Sequence, residues 1–299
     1  MTDTLPDPIL PALTQAQAIR FHDRVQAAFN RRGLNAVYRG DDAYLVGDNV
    51  FGVSNLAIAV AREDESEWDL LMDRHFGALL AQHAQKPEPA TIDQIYPRVR
   101  PTREGAAADY PRRDLVDRME VVFAVDYPQY VSEIGDATAL AHIGGVADLW
   151  PVAMANLRAL PAPEHEVIPL VDEEPDKFPL HVFFCDDYFG ASRILLVAEI
   201  VDAVLGAGFS SEHGLLVSIP HRHLMLVYVV EDSRTLVGCT RLTSIAQDQF
   251  DTSAGAVTPR VFYRSTNGSL TQVAYLTEDN RAYMNPTAEM SARIFAKTE

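Results

Sequence analysis

Apolar positions along this chain switch between the helical period and the strand period. Residues 14–32, "TQAQAIRFHDRVQAAFNRR", place Ile19, Val25, Ala28 and Phe29 at helical spacing, with Thr14 to cap the start and Gly33 to stop it. Short strands are predicted over 35–39, 43–47 and 51–61, with "GDD" and "GDN" as the turns. Residues 63–83 return to helical spacing: Trp68, Leu71, Phe76, Leu79 and Leu80 form a stripe behind an acidic start that suits the positive end of a helix dipole. Periodicity then lapses over 86–114, where five prolines mark a linker or a long surface loop.

The rest of the chain opens on a strand, "MEVVFAVD", over 119–126. A helical region reaches about residue 160, broken at Gly144 and Gly145, with Asp148 as cap and Pro151 in the first turn of its last piece. An acidic loop, "VDEEPDKFP", precedes the strand "LHVFFCD" and the helix "ASRILLVAEIVDAVLG". A hairpin over 214–230, a helix near 233–250, a second hairpin turning at Asn267 and Gly268, and a short helix over 286–297 complete the pattern. Residues 122–134 and 182–194 share Val, Phe, Asp, Ser and Ile at matched offsets, as two related units of strand running into helix would. The predicted fold is α+β, with mixed or antiparallel sheets, packed helices and several hairpins. Its regions are 1–85, the 86–114 linker and 115–299.

Composition narrows the function classes. A chain of 299 residues that is 47% hydrophobic builds a core without staples. Its two cysteines, Cys185 and Cys239, suit a reducing compartment rather than a disulfide framework. No basic, apolar leader opens the sequence, and the longest apolar run, 224–230, is too short for a bilayer. The expected location is the cytoplasm. A net charge of −17 repels nucleic acid and anionic lipid and favours a basic partner, although it also serves solubility. The linker is locally basic through Arg98, Arg100, Arg103, Arg112 and Arg113, which reads as a patch docked on the protein's own acidic surface.

Candidate chemistry centres on "IPHRH". On one strand, His221 and His223 share a face and would hold a metal through imidazole nitrogens, with His213 as a third ligand. Pro220 argues instead that these residues are the hairpin's loop, so no metal site is expected. "DDYFGAS" sets Asp186 and Asp187 at a strand end, where they bind a ligand or, the favoured reading, cap and turn the chain. "GFSSEHG" lacks the final glycine of a nucleophile elbow. No phosphate loop, dinucleotide fingerprint, H-E-x-x-H or EF-hand is present, and no cofactor is expected. Cys185, beside Phe184, reads as buried rather than nucleophilic.

The succession "SNLAIAV", "YPRVRP", "VVFAVD", "VAMANL", "DDYFGASRILL" and "GLLVSIPHRHLML" resembles the YtpQ-like bacterial proteins, a family of unknown function. The resemblance spans roughly residues 50–235. It is most specific at Ala155-Asn156-Leu157 and at Ile219 to Arg222, and His223 departs from the acidic or amide residue that follows the arginine in that pattern. The family implies no activity and no catalytic residue.

Two readings of function follow, with a third beside them. The favoured one is a non-enzymatic, acidic, immunity- or chaperone-like factor whose loops, 63–67 and 172–176, engage a basic protein partner. The alternative is a hydrolase-type enzyme gathering Asp186, Asp187, Arg222 and His223. The third is a structural component of a multi-protein assembly. Asp186, Asp187, His221, Arg222 and His223 are the candidate binding residues.

Overall fold

The computed structural model describes residues 5–47, 49–84, 90–102, 111–127, 130–135 and 137–295. They form two compact units, Met1–Glu88 with Asp251–Gly255, and Pro89–Phe250 with Ala256–Glu299. Every paired strand is antiparallel and helices pack on the sheets, so the fold is α+β.

In the first unit, α1 (Gln15–Arg31) opens on a capping box: the Gln17 N–H donates to Thr14 Oγ1 at 3.3 Å, and the Thr14 N–H donates to Gln17 Oε1 at 2.9 Å. Its buried arc is Ala18, Phe21, Val25, Ala28 and Phe29. Ile19, expected on that arc, is 66% exposed, because 100° per residue carries it past the arc's edge. Strands β1 (Ala36–Tyr38), β2 (Ala43–Val46) and β3 (Asn49–Gly52) form one small sheet. The strand expected over 51–61 is corrected: β3 ends at Gly52 and residues 54–61 are a helix, α2 (Ser54–Ala61). An unbroken apolar run suits a buried helix or a buried strand equally, and three alanines tip it toward helix.

Helix α3 (Trp68–Ala84) starts later than expected, since residues 63–67 turn around Asp64, whose carboxylate accepts the Ser66 N–H at 2.9 Å. Trp68 is fully buried and donates its indole N–H to the Val60 carbonyl at 2.9 Å, tying α3 to α2. Met72 joins Phe76 in the core, while the side chain of Leu79 is outside the described residues.

The second unit begins inside the stretch expected to be linker. There, β4 (Ile95–Pro101) and β5 (Arg112–Val116) flank β6 (Met119–Tyr127), and β7 (Tyr130–Glu133) also pairs with β6. Proline and arginine disguise β4, yet Ile95, Pro97 and Val99 alternate inward as a strand requires. Arg103 is outside the described residues. Strand β7 removes the proposed duplication, because β6 runs into a strand where the second segment runs into a helix. Helix α4 (Gly145–Ala159) is capped at Gly144, not Asp148, and Pro151 lies inside it rather than in its first turn.

The larger sheet runs β14-β13-β12-β10-β11-β9-β8. Its strands are β8 (Glu164–Pro169), β9 (Pro179–Phe184), β10 (Gly214–Ser218), β11 (Leu224–Val230), β12 (Val261–Arg264), β13 (Leu270–Leu276) and β14 (Ala282–Met284). A 3-10 helix over Ala191–Leu196 leads into α5 (Val197–Leu205), and α6 (Phe209–Glu212) precedes β10. Helices α7 (Thr235–Thr252) and α8 (Ala288–Ile294) cover one face through Cys239, Leu242, Met290 and Ile294. The other face meets α5 and the β4–β6 sheet through Val99, Val121, Ile194 and Val197. Asn267 and Gly268 turn the second hairpin as expected, with Gly268 at φ +90°. Among the described residues, no helix is long and apolar enough to cross a membrane.

Candidate functional site at the hairpin tip

Strands β10 and β11 pair from Gly214↔Val230 to Ser218↔Leu226, which leaves Ile219–His223 as the connection. The Leu224 N–H donates to the His221 carbonyl at 3.1 Å and closes the turn. Two further segments clamp it. The Val257 N–H donates to the Pro220 carbonyl at 2.8 Å, and His221 bridges to Ala256. From the other side, the Cys185 N–H donates to the His223 carbonyl and the Ala191 N–H to the Arg222 carbonyl, both at 2.9 Å. The loop "DDYFG" thus lies directly on the tip. Gly190 is obligatory there: a Cβ on it would sit 2.6 Å from the Arg222 carbonyl oxygen.

Both histidines are committed to this clamp. His223 Nδ1 lies 2.9 Å from the Cys185 carbonyl, which can only accept, so Nδ1 carries the proton. Its Nε2 is then an acceptor, and Arg222 Nε donates to it at 2.9 Å. His221 Nδ1 accepts the His223 N–H at 3.3 Å. The ring centroids stand 6.2 Å apart. A metal would have to displace these bonds, and His213 is engaged elsewhere, stacked on Phe209 at 4.2 Å. Among the described residues, no three His, Cys, Asp or Glu side chains gather as a metal site.

The two aspartates part company. Asp187 Oδ1 accepts the Phe189 N–H at 2.8 Å, which turns the chain. The same carboxylate takes both Nη groups of Arg193 at 2.9 and 2.8 Å. Arg193 is 3% exposed and also donates to the Pro161 carbonyl at 2.9 Å. Asp186 is exposed beside it. Cys185 is buried, and burial pushes its thiol up to about 11, which removes it as a nucleophile at neutral pH. The tip therefore holds arginine and imidazole in fixed positions, but the carboxylate a hydrolytic site would use is bound to Arg193.

Arg222 differs from its neighbours. Its guanidinium lies 4.5 Å over the ring of Tyr188, held by the bond to His223. Burial, and then the charge of nearby Arg98, hold it below its ordinary pKa, partly offset by Tyr188. Arg98 sits on β4 with Tyr96, which stacks on Phe189 at 4.5 Å. Farther along that face Arg100 pairs with Glu120 at 2.7 Å and Glu133 at 2.9 Å, and Arg112 pairs with Glu120 at 3.5 Å. Glu120 is fully buried, so Arg100 and Arg112 of the basic patch dock on one of the protein's own acids. Arg113 instead covers the ring of Trp150 at 4.0 Å.

Sequence reasoning missed three elements around this site. Arg193 reads as one basic residue in an apolar helix, yet it neutralises Asp187. Asn156, in the motif "VAMANL", donates to the carbonyls of Ile92 and Ile95 at 2.9 Å and docks α4 on the start of β4. Strand β8 has no apolar alternation to find: five of its six residues, among them Glu164, Glu166, Val167 and Ile168, are exposed. A groove of about 260 Å³, lined by Leu160, Pro161, Phe183, Arg193, Leu196 and Ile200, runs beside α5. Arg158 and Glu199 close its rim through a paired contact at 2.8 to 3.1 Å. No family model, curated protein or solved structure matches this chain.

Proposed function

We propose that this chain is a non-catalytic, cytoplasmic binding factor that takes an extended, basic segment of a partner protein along β8. One observation carries the reading. Strand β8 is the edge of the seven-stranded sheet, paired with β9 from Glu164↔Phe184 to Pro169↔Pro179 and with nothing on its other side among the described residues. An open edge offers alternate peptide groups to an added strand. Glu164 and Glu166 stand exposed on it, and exposed Asp172, Glu173, Glu174 and Asp176 follow in the next loop. Of that loop's acids only Glu174 is engaged, by Lys177 at 2.8 Å. The other acidic loop is less available, since Arg20 holds Glu65 at 2.6 Å and Ser66 engages Asp64. Val167, 53% exposed, supplies an apolar contact on the opposite face of the strand from the two glutamates.

The test is fluorescence anisotropy of the full chain with labelled peptides of alternating lysine and valine, against a glutamate–valine control. Saturable binding of the lysine peptide that weakens with salt is expected, with new amide protection over 164–168. Charge reversal, Glu164→Lys with Glu166→Lys, should lower affinity about tenfold or more. Equal binding by wild type and reversed variant, or protection elsewhere, overturns the reading.

A further inference from the structure

Arg222 has an unusual status in an acidic protein. The chain carries 42 carboxylate side chains against 25 lysines and arginines, so a half-buried arginine to which, among the described residues, no carboxylate or carbonyl oxygen is bonded needs a reason. Arg222 spends Nε on His223 and its π-face on Tyr188, and among the described residues its two Nη groups have no partner. Arg98 shares a face of β4 with Tyr96, whose ring stacks on Phe189 next to the Tyr188 that carries Arg222, and it is only loosely compensated: Glu133 lies 3.6 Å from it but 2.9 Å from Arg100. A half-buried cation costs free energy unless an anion answers it.

The arrangement is also rigid. The Arg222 carbonyl is bonded to Ala191, and the residues on either side of the tip are bonded to Cys185 and Val257. The guanidinium plane is fixed by Tyr188 and His223, which leaves both Nη groups without a bonded partner among the described residues. A forked donor pair held in advance suits an oxyanion that accepts two parallel N–H bonds. Two guanidiniums, one uncompensated and one partly so, match a dianion better than a single carboxylate, and a phosphate group near neutral pH carries about −1.5 to −2. We propose that the Nη edge of Arg222, together with Arg98, binds the phosphate group of a small ligand. Phe184 and Tyr188, 41% and 42% exposed, flank the site and offer ring surface to whatever carries the phosphate. This site is independent of the β8 edge, and either stands if the other fails.

Calorimetric titration of the full chain at constant ionic strength tests it, with inorganic phosphate, phenyl phosphate and acetate as probes. One saturable phosphate site near the millimolar range is expected, about −4 kcal/mol for a dissociation constant of about 1 mM. Phenyl phosphate should bind at least as well, and acetate about fivefold more weakly or worse. Arg222→Ala should lose about tenfold or more and Arg98→Gln about threefold, while Arg241→Ala, at an exposed helical position, should change nothing. If Arg222→Ala does not fold, Arg222→Lys keeps the charge without the fork and should still lose about fivefold. No saturable phosphate binding, equal affinity in folded Arg222 and Arg98 variants, or acetate binding as tightly as phosphate overturns the proposal.

Discussion

Gly190 lies against the backbone of Arg222 so closely that a Cβ would meet the arginine's carbonyl oxygen at 2.6 Å and the backbone of His223 at 3.0 Å. Its φ of −54° is one that any residue adopts, so the constraint is contact and not conformation. Gly190→Ala should therefore cost about 1–3 kcal/mol by overpacking. Equilibrium unfolding in denaturant measures it, and an unchanged midpoint would show that the loop and tip are not in contact.

Arg193 and Asp187 form the second test. Removing Asp187 leaves a buried guanidinium with only the Pro161 carbonyl, so Asp187→Ala should destabilise by about 3–5 kcal/mol. The double variant Asp187→Ala with Arg193→Met should cost clearly less than the two single changes added together. Strict additivity in that cycle would mean the pair is not coupled.

Acid sensitivity follows from three histidines. Burial lowers the pKa of His22, His75 and His181, and at His181 the charge of neighbouring His165 adds to it. His165 and His181 stack with ring nitrogens 3.1 Å apart, a bond that needs an unprotonated acceptor nitrogen on one ring. The unfolded chain takes up these protons first, so the stabilisation is whole above about pH 6.5 and is lost as pH falls from there toward the folded values. Denaturation midpoints at pH 7.5 and 5.5 should fall in that order, and His181→Gln should flatten the change. A midpoint that holds steady or rises on acidification would contradict it.

Both thiols should be inert in the native state. Cys185 is pushed up to about 11 and Cys239 to about 12, in each case first by burial, so at pH 8 about one thiol in a thousand or fewer is ionised. Alkylation with iodoacetamide should be slow when folded and complete in denaturant. Fast modification of either in the folded protein would place it at the surface.

Legibility varied with how strongly local chemistry dictates structure. Thr14 and Gln17 announce α1, and Asn267 with Gly268 announces the second hairpin, because caps and tight turns select residue types directly. The run from Ser54 to Ala61 is ambiguous because alanine keeps it apolar even at exposed Ala59 and Ala61, which erases the periodicity. Strand β4 was hidden because Pro97 and Pro101 read as breakers, and β8 because an edge strand with little burial keeps no alternation. At the tip, Pro220 correctly argued for a turn. Asp187 and Arg193 are only six residues apart, but they meet because the loop between them folds back, and the docking role of Asn156 and the seating of the Arg222 tip depend on contacts between residues 38 to 64 apart. No local pattern carries such information.

Asp251–Gly255 belong to the first unit, where the Gly255 N–H donates to Asn55 Oδ1 at 2.7 Å and Arg62 donates to the Thr252 carbonyl at 3.2 Å. A ribosome making this chain finishes residue 88 long before it reaches residue 251, with a delay of roughly ten to thirty seconds at ordinary synthesis rates. The N-terminal unit must wait through that interval with part of its surface unfilled. Its maturation is tied to completion of the other unit's sequence, and a fragment ending near residue 88 should emerge less stable than the same residues in the whole protein.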